Sequence, residues 1–223
     1  MKKLNPIFLD RAQYMAMCDN IENLHKNNLP MPEVTLHGIP TKITPIRKKN
    51  DFCFISHEDK RIVIQFQGSN DFRDWVSNAR FLQGFHSGVH GGFYHSAVEF
   101  VEDVNHHICE ALTAGKLIVI GGHSRGGALA RFMAVFAYRR FETHIKVMTF
   151  GAPPCFGSEW RGGYNEMNIH DDNVQNHRDI VRRLGKPLFK QVGHIKVLPI
   201  PFLWNFNFIK RHKGYYENIK RLS

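Results

Sequence analysis

The stretch with the clearest chemical potential covers residues 121–131, GGHSRGGALAR, which follow the apolar run KLIVI. It places Ser124 between glycines, with a predicted strand before it and a helix of small residues after it. Such a tight turn holds a serine hydroxyl above the end of a sheet, and the following helix directs free N–H groups at developing negative charge. The pattern predicts that Ser124 is a nucleophile. His123 is its neighbour in the turn, so we expect the ring of His123 to point elsewhere.

A serine nucleophile needs a base to take its proton and an acid to orient that base. In the chain order of α/β-hydrolases, the acid and then the histidine follow the serine. Asp179 lies at a predicted strand-to-loop transition, whereas Asp171 and Asp172 fall in the polar run HDDN, which is typical of an exposed turn. Two histidines remain as candidate bases: His212, in a terminal loop or helix start, and His194, on a predicted strand. Catalytic residues usually lie on loops held by a rigid scaffold, which favours His212.

Patterns of strands and helices surround these residues. Residues 7–26 have apolar positions at helical spacing, DFCFIS and RIVIQFQG predict a hairpin, KLIVIGG and HIKVMTFGAP predict further strands, and residues 124–138 predict a helix. This alternation indicates an α/β fold with a mostly parallel sheet and helices on both faces. In such sheets the chemistry gathers at the carboxyl ends of the strands, where the candidate residues fall. The length suits one domain, residues 1–223.

Positive charge is concentrated towards one end of the sequence. Residues 178–223 contain eleven basic and two acidic residues, so this segment carries +9 of the net charge of +10. A one-sided basic surface predicts an anionic partner, such as phospholipid head groups, nucleic acid or an acidic protein, although a solvated face that aids solubility is the plain alternative. Nucleic acid is not expected, because the sequence contains no recognisable nucleic-acid module.

The cysteines and the hydropathy of the sequence indicate in which cellular compartment the protein is expected. The four cysteines are far apart and form no C-x-x-C pair, which predicts reduced core residues. The first apolar patch is too short for a Sec signal peptide, and there is no apolar run of about 18 residues that would span a membrane. We therefore expect a cytoplasmic protein as synthesised, with peripheral membrane contact or export by a non-Sec route left open.

Six sequence motifs occur in a characteristic order along roughly residues 61–219. They are FQGSNDFRDWVSNARF (66–81), VHGGFYHSA (89–97), GHSRGGALA, TFGAPP (149–154), NHRDIV (176–181) and the final pair His212 and Tyr215. In this order they resemble the class 3 (fungal-type) lipase family of the α/β-hydrolase superfamily. The resemblance implies the α/β-hydrolase fold with a short lid helix after the oxyanion-hole strand. It also implies a serine esterase that hydrolyses lipid esters, as a lipase or an A1-like phospholipase, through an acyl-enzyme.

The resemblance also implies roles for individual residues. Ser124 is the nucleophile, Asp179 the orienting acid and His212 the base of a catalytic triad. Ser69 would donate its backbone N–H and hydroxyl to the oxyanion hole, together with the backbone N–H of Arg125. No cofactor and no metal ion are expected.

A lid and a lipid-facing surface are predicted from apolar residues near charges. In NDFRDWV, Phe72, Trp75 and Val76 form a stripe at i, i+3 and i+4 that could cover the site in water and turn onto lipid, with a core-packing turn as the plain alternative. VLPIPFLWNFNFI, at 197–209, adds aromatic residues beside the basic cluster. The expected partners are therefore a lipid or phospholipid ester and, through Lys, Arg and aromatic residues, a membrane surface. The alternative function is a catalytically silent hydrolase fold that binds a membrane or an acidic partner.

Several positions depart from the family pattern, and one of them is His95, where the family often has an acidic residue. Gln67 replaces the usual arginine before the oxyanion-hole glycine and Asn78 replaces an aspartate, which predicts a neutral pair in place of an ion pair. Arg125 stands where an apolar residue is usual, and a buried guanidinium requires a partner. We expect Arg125 either to pair with Asp71 or Asp74 of the lid segment or to meet an anionic group of the substrate.

Overall fold

The structure is a computed structural model that describes residues 6–29, 34–36, 39–69, 85–86, 88–185, 188–201, 204 and 208–223. Its helices are α1 (Pro6–Lys26), α2 (Gly91–Val98), α3 (Val101–Thr113), α4 (Arg125–Phe141), α5 (Ser158–Glu166), α6 (Phe208–Lys213) and α7 (Tyr215–Leu222). Its strands are β1 (Val34–Leu36), β2 (Ile39–Lys48), β3 (Asp51–His57), β4 (Arg61–Phe66), β5 (Phe85–His86), β6 (Val89–His90), β7 (Leu117–His123), β8 (Ile145–Phe150), β9 (Ile169–Asn176) and β10 (His194–Leu198). A 3₁₀ turn spans Val181–Arg183.

Eight of these strands form one sheet in the order β1-β2-β3-β4-β7-β8-β9-β10. Strands β1 to β4 pair in antiparallel fashion, and β4, β7, β8, β9 and β10 run parallel. The remaining strands, β5 and β6, form a separate two-stranded pair. The predicted hairpin is confirmed as β3 and β4, and the predicted α/β architecture is confirmed by the parallel half of the sheet. That half carries the candidate chemistry.

Apolar cores lie on both faces of the sheet and hold its central strands in place. On one face, α2, α3 and α4 pack over β4, β7 and β8. Small residues in α4 allow close packing, and eleven of its seventeen residues are buried. On the other face, α1 and α7 cover two smaller clusters of apolar residues. The strand β7 is therefore buried on both sides, which explains its continuous apolar run.

The polar run HDDN lies inside a strand, so the expectation of an exposed turn was wrong. Asp171 belongs to β9 and is 1% exposed. Its Oδ2 accepts hydrogen bonds from Arg131 Nε at 2.9 Å and from the hydroxyl of Tyr164 at 3.1 Å. A second nitrogen of Arg131, Nη2, donates to the hydroxyl of Thr149 at 3.1 Å. This buried ion pair fixes α4 against the sheet, and it removes Asp171 from the candidates for the catalytic acid.

The cysteines are all free, and three of the four behave as predicted. Cys18, Cys53 and Cys155 are buried, whereas Cys109 is exposed on α3 and departs from the expectation of a core residue. Burial is also the main reason that the pKa of each buried thiol is raised. Among the described residues, no helix combines the length and the apolarity that crossing a membrane requires.

Candidate active site

The nucleophile turn joins β7 to α4 in a strained conformation. Ser124 has φ +52° and ψ −124°, a region that residues other than glycine rarely adopt. Its N–H donates to the carbonyl of Phe150 on β8 at 2.9 Å, which ties the turn to the sheet. A side chain at Gly122 would meet the carbonyl of Gly126 at 2.2 Å, so only glycine lets strand and helix approach this closely. The hydroxyl of Ser124 is buried and has no hydrogen-bond partner among the described residues.

The structure pairs His212 with Asp179 in a fully buried contact. Nδ1 of His212 donates to Oδ2 of Asp179 at 2.9 Å, and both side chains have an exposed fraction of 0%. Asp179 follows the carboxyl end of β9, after a turn in which Arg178 has φ +60°. The other carboxylate oxygen, Oδ1, accepts the N–H of Val181 at 3.0 Å. The carboxylate is thus fixed on both sides, and it fixes the ring of His212.

The two candidate bases lie at opposite ends of the sheet. His212 sits on α6, a short helix, and not on the loop that favoured it in the sequence. His194 begins β10 and pairs in register with Asp172, whereas the candidate acid follows the other end of β9. The ring of His194 is exposed and lies 5.3 Å from the ring of His170. The structure therefore brings His212, and not His194, to Asp179.

His123 lies in the nucleophile turn around Ser124, which we also call the elbow. It contacts His212 and stays neutral. Nε2 of His123 donates to the backbone carbonyl of His212 at 2.9 Å, and the two ring centroids are 4.8 Å apart. Burial, and next the nearby His212, lower the pKa of His123 to about 3. As expected from the sequence, this ring is directed away from a role as base. Because His123 directly precedes Ser124, the contact also places His212 beside the nucleophile turn.

Tyr215 is a residue whose role the sequence did not assign. Its hydroxyl donates to Oδ2 of Asp179 at 2.7 Å and accepts the N–H of Asn176 at 2.8 Å. Burial and the charge of Asp179 raise its pKa well above the ordinary value, so the hydroxyl stays protonated. The terminal pair of His212 and Tyr215 thus acts on one carboxylate. The signal was present in the sequence as H-x-x-Y, but spacing alone does not reveal a shared partner.

Asn176 connects the acid loop to the last two helices. Its Nδ2 donates to the carbonyl of Arg211 on α6 at 2.8 Å. Its Oδ1 accepts from Nδ2 of Asn218 on α7 at 2.7 Å. Its N–H donates to the hydroxyl of Tyr215, so Asn176 makes three hydrogen bonds to the segment that carries His212. The position of the candidate base is therefore set by buried polar contacts.

The candidate oxyanion-hole residues emerge side by side from adjacent strands. Phe66 of β4 pairs in parallel register with Gly122 of β7, so the residues that follow each strand leave the sheet at the same edge. Ser69 follows β4, and Arg125 opens α4. A side chain at Gly126 would lie 2.3 Å from the carbonyl of Gln67, which shows how closely the two segments approach. The lid residues Phe72, Trp75 and Val76 lie outside the described residues.

The side chain of Arg125 is clamped by residues of β3 and α2. Its Nε and Nη2 donate to the two carboxylate oxygens of Asp51 at 2.7 and 2.8 Å, and Nη2 also donates to the hydroxyl of Ser96 at 2.7 Å. The guanidinium carbon lies 5.8 Å from the ring centroid of Phe93. The expected pairing therefore occurs with Asp51, a residue that the sequence did not suggest. Asp71 and Asp74, the expected partners, lie outside the described residues.

Among the described residues, the side chain of Gln67 contacts two carboxylates. Its Nε2 donates to Oδ1 of Asp19 at 2.7 Å and to Oε2 of Glu22 at 2.8 Å, both on α1. Arg47 of β2 forms an ion pair with the same Glu22. The predicted neutral pair of Gln67 with Asn78 stays a prediction, because Asn78 lies outside the described residues. The segment before Ser69 is thus attached to α1.

Several known proteins are similar to this chain in sequence. The family model described as Lipase (class 3) matches residues 63–188, which is more than half of the sequence. The match contains Ser124 and Asp179 and ends before His212. Extracellular phospholipase A1 of Serratia liquefaciens is 37% identical over 81 residues, 36% of this chain and 22% of that protein. A lipase of Rhizopus niveus is 28% identical over 156 residues, 64% of this chain and 39% of that protein.

Solved structures extend the likeness to the fold. Lipase II from Rhizopus niveus has a TM-score of 0.75 at 22% identity, over 86% of this chain and 79% of that one. The sequence matches with the two curated relatives, in contrast, span less than half of the length of those proteins. The fold is therefore shared over most of the chain, whereas the sequence matches with these two relatives cover 36% and 64% of it.

Proposed function

The chain belongs to the class 3 lipase family, and from this premise we propose that it is a serine hydrolase of lipid esters with Ser124, Asp179 and His212 as its catalytic triad. The observation that carries the proposal is the buried 2.9 Å contact between His212 and Asp179, held beside the strained turn of Ser124. A buried histidine with one nitrogen on a carboxylate is oriented to use its other nitrogen as a base. Named relatives with lipase and phospholipase A1 activity support the ester substrate.

The catalytic steps follow from the placement of these groups. The hydroxyl of Ser124 attacks the ester carbonyl while its proton moves to Nε2 of His212, and His212 then gives that proton to the departing alcohol. A water molecule, deprotonated by the same nitrogen, attacks the acyl-enzyme and releases the fatty acid. Asp179 keeps its charge throughout and stabilises the imidazolium form of His212, since Nδ1 remains bound to it.

The negative charge on the tetrahedral intermediate would be stabilised by hydrogen-bond donors at the start of α4 and in the segment after β4. The proposed donors are the backbone N–H of Arg125, with the N–H and the hydroxyl of Ser69. The register of β4 and β7 supports this pairing, because both segments leave the sheet at the same edge. Removal of one such donor typically slows turnover by about 10²–10³.

The proposed substrate is a phospholipid ester in preference to a neutral triacylglycerol, and the proposed site of action is a lipid surface. The +9 charge of residues 178–223 supports both, because such a segment attracts anionic head groups. Much of the aromatic stretch at 197–209 lies outside the described residues, so the basic residues carry this part of the proposal. Turnover on phosphatidylglycerol should exceed turnover on triolein emulsions, and equal or greater activity on triolein would contradict the preference.

Covalent labelling with a fluorophosphonate probe tests the triad directly. The wild-type protein should be labelled, Ser124→Ala should lose all labelling, and His212→Ala should lose nearly all of it. His194→Ala is the matched control, because it removes a histidine that does not contact Asp179, and it should label like the wild type. Loss of labelling in His194→Ala but not in His212→Ala would overturn the choice of base. A folded wild type without labelling or ester turnover would instead favour the silent, lipid-binding alternative.

A further inference from the structure

The strand β10 carries two exposed apolar side chains. Among the described strands, β10 pairs with β9 alone, so its other edge has no strand beside it. Ile195 is 51% exposed and Val197 is 44% exposed. Residues two apart on a strand point to the same face, so these side chains form one stripe. Leu198 points to the opposite face and is buried in the core, which shows that the strand is firmly attached.

A groove continues this stripe towards the candidate acid. Its lining consists of four consecutive residues, from Val197 to Ile200, together with His177 and Arg178, and its volume is about 500 Å³. Arg178 directly precedes Asp179 in the chain and is exposed. The apolar stripe and the loop that carries the acid therefore form one continuous surface, which we call the β10 surface (Ile195, Val197, Pro199, Ile200, His177 and Arg178).

Positive charge predominates in the sequence that contains β10. Residues 180–216 contain no aspartate or glutamate and have eight basic residues: Arg182, Arg183, Lys186, Lys190, Lys196, Lys210, Arg211 and Lys213. The preceding carboxylate, Asp179, is buried and bonded to His212. Edge strands of soluble proteins commonly place charges on their outward positions, which discourages association. On β10 the two exposed apolar positions are aliphatic, and the exposed Arg178 lies in the groove that Val197 lines, as in surfaces that enter an anionic lipid interface.

We propose that the β10 surface docks onto an anionic lipid bilayer. Ile195 and Val197 enter the boundary between head groups and acyl chains, and the basic residues contact lipid phosphates. This inference rests on the proposed function, since docking would bring the loop of Asp179 close to its lipid substrate. It adds to that function the particular strand edge through which the lipid surface is reached.

Vesicle sedimentation tests the docking separately from catalysis. Binding is measured with Ser124→Ala protein, which leaves the vesicles intact, on phosphatidylcholine alone and on an equal mixture with phosphatidylglycerol. The parent should bind the mixed vesicles more tightly, and added salt should weaken that binding. The double substitution Ile195→Ser and Val197→Ser should weaken binding to mixed vesicles by about tenfold or more, because two half-exposed aliphatic side chains no longer enter the lipid.

The chain offers matched controls for this substitution. Leu117 is 50% exposed and Val98 is 43% exposed, and both lie on other elements, so Leu117→Ser and Val98→Ser should bind within about twofold of the parent. The same surface variants, made with Ser124 intact, should hydrolyse a soluble short-chain ester at the wild-type rate. Unchanged vesicle binding in the double variant would overturn the docking proposal while leaving the hydrolase intact. Concentration-dependent dimerisation that the double substitution abolishes would overturn it as well, because the occupant would be a second copy of the chain.

Discussion

The clamp on Arg125 makes a quantitative prediction about the start of α4. The substitution Asp51→Asn keeps the shape of the side chain and removes its negative charge. Arg125 would then retain one amide oxygen and the hydroxyl of Ser96 in place of a bidentate carboxylate. Since Arg125 is the first residue of α4 and its N–H is a proposed oxyanion donor, weakening the clamp should affect both stability and turnover.

The size of the effect follows from the burial of the pair. The side chain of Arg125 is 20% exposed and that of Asp51 is 9% exposed, so the pair lies between surface ion pairs and fully buried ones. Surface pairs contribute about 0–1 kcal/mol, whereas breaking a buried pair costs about 3–5 kcal/mol. We expect Asp51→Asn to lower the free energy of unfolding by about 1–3 kcal/mol. On a soluble ester we expect kcat to fall by about tenfold with little change in KM, because the misplaced donor acts in the transition state.

Urea unfolding and steady-state kinetics measure these two effects. Glu99→Gln is the matched control, since it removes the same charge from a more exposed ion pair, with Lys49 at 3.2 Å, and it should change neither quantity measurably. A double-mutant cycle with Arg125→Leu should be non-additive, because both substitutions break the same contact. If the cycle is additive, or if the urea midpoint of Asp51→Asn is unchanged, the clamp does not act as described. If Arg125→Leu leaves stability unchanged and alters the head-group preference, the side chain of Arg125 contacts the substrate and does not serve mainly to pair with Asp51.

Two further predictions concern the surroundings of His212. Tyr215→Phe leaves the N–H of Asn176 without its acceptor, so the free energy of unfolding should fall by about 1–3 kcal/mol. Fluorophosphonate labelling should slow, because Asp179 loses its second side-chain donor. Labelling at the wild-type rate would show that this donor is dispensable. His123 has its pKa lowered from 6.5 to about 3, so the unfolded chain binds more protons between these values and stability is lost as pH falls through this range. His123→Asn should therefore lose less stability than the wild type between pH 6.5 and pH 4, measured by urea unfolding, and parallel losses would refute the assignment.

Features of the site that are formed by consecutive residues could be predicted from the sequence. The elbow around Ser124 is contained in a few consecutive residues, and its strand and helix are encoded by the apolar run before it and the small residues after it. Asp179 and His212 were found through chain order and motif resemblance, which locate residues without requiring knowledge of their contacts. The element of His212 was less certain, because a short polar helix and a loop have similar sequence patterns.

Contacts between distant segments could not be predicted in the same way. Asp51 is 74 residues from Arg125, and Asp171 is 40 residues from Arg131, so neither ion pair leaves a trace in local spacing. Within the run HDDN, Asp171 is buried because it pairs with Arg131, whereas the polar pattern of the run alone indicates exposure. In each case a tertiary partner decided the environment of a charged residue, and only the fold brings the partners together.

The attachment of α6 and α7 to Asn176 has a consequence for the order of events during synthesis. A nascent chain that has emerged as far as the loop after β9 already contains the nucleophile turn, the acid and the central strands. It lacks His212 and the hydroxyl of Tyr215, which come from residues that leave the ribosome later and must dock against Asn176. The proposed hydrolase would thus be inert while most of its sheet is already complete, and would gain activity only when the segment that carries His212 docks against Asn176.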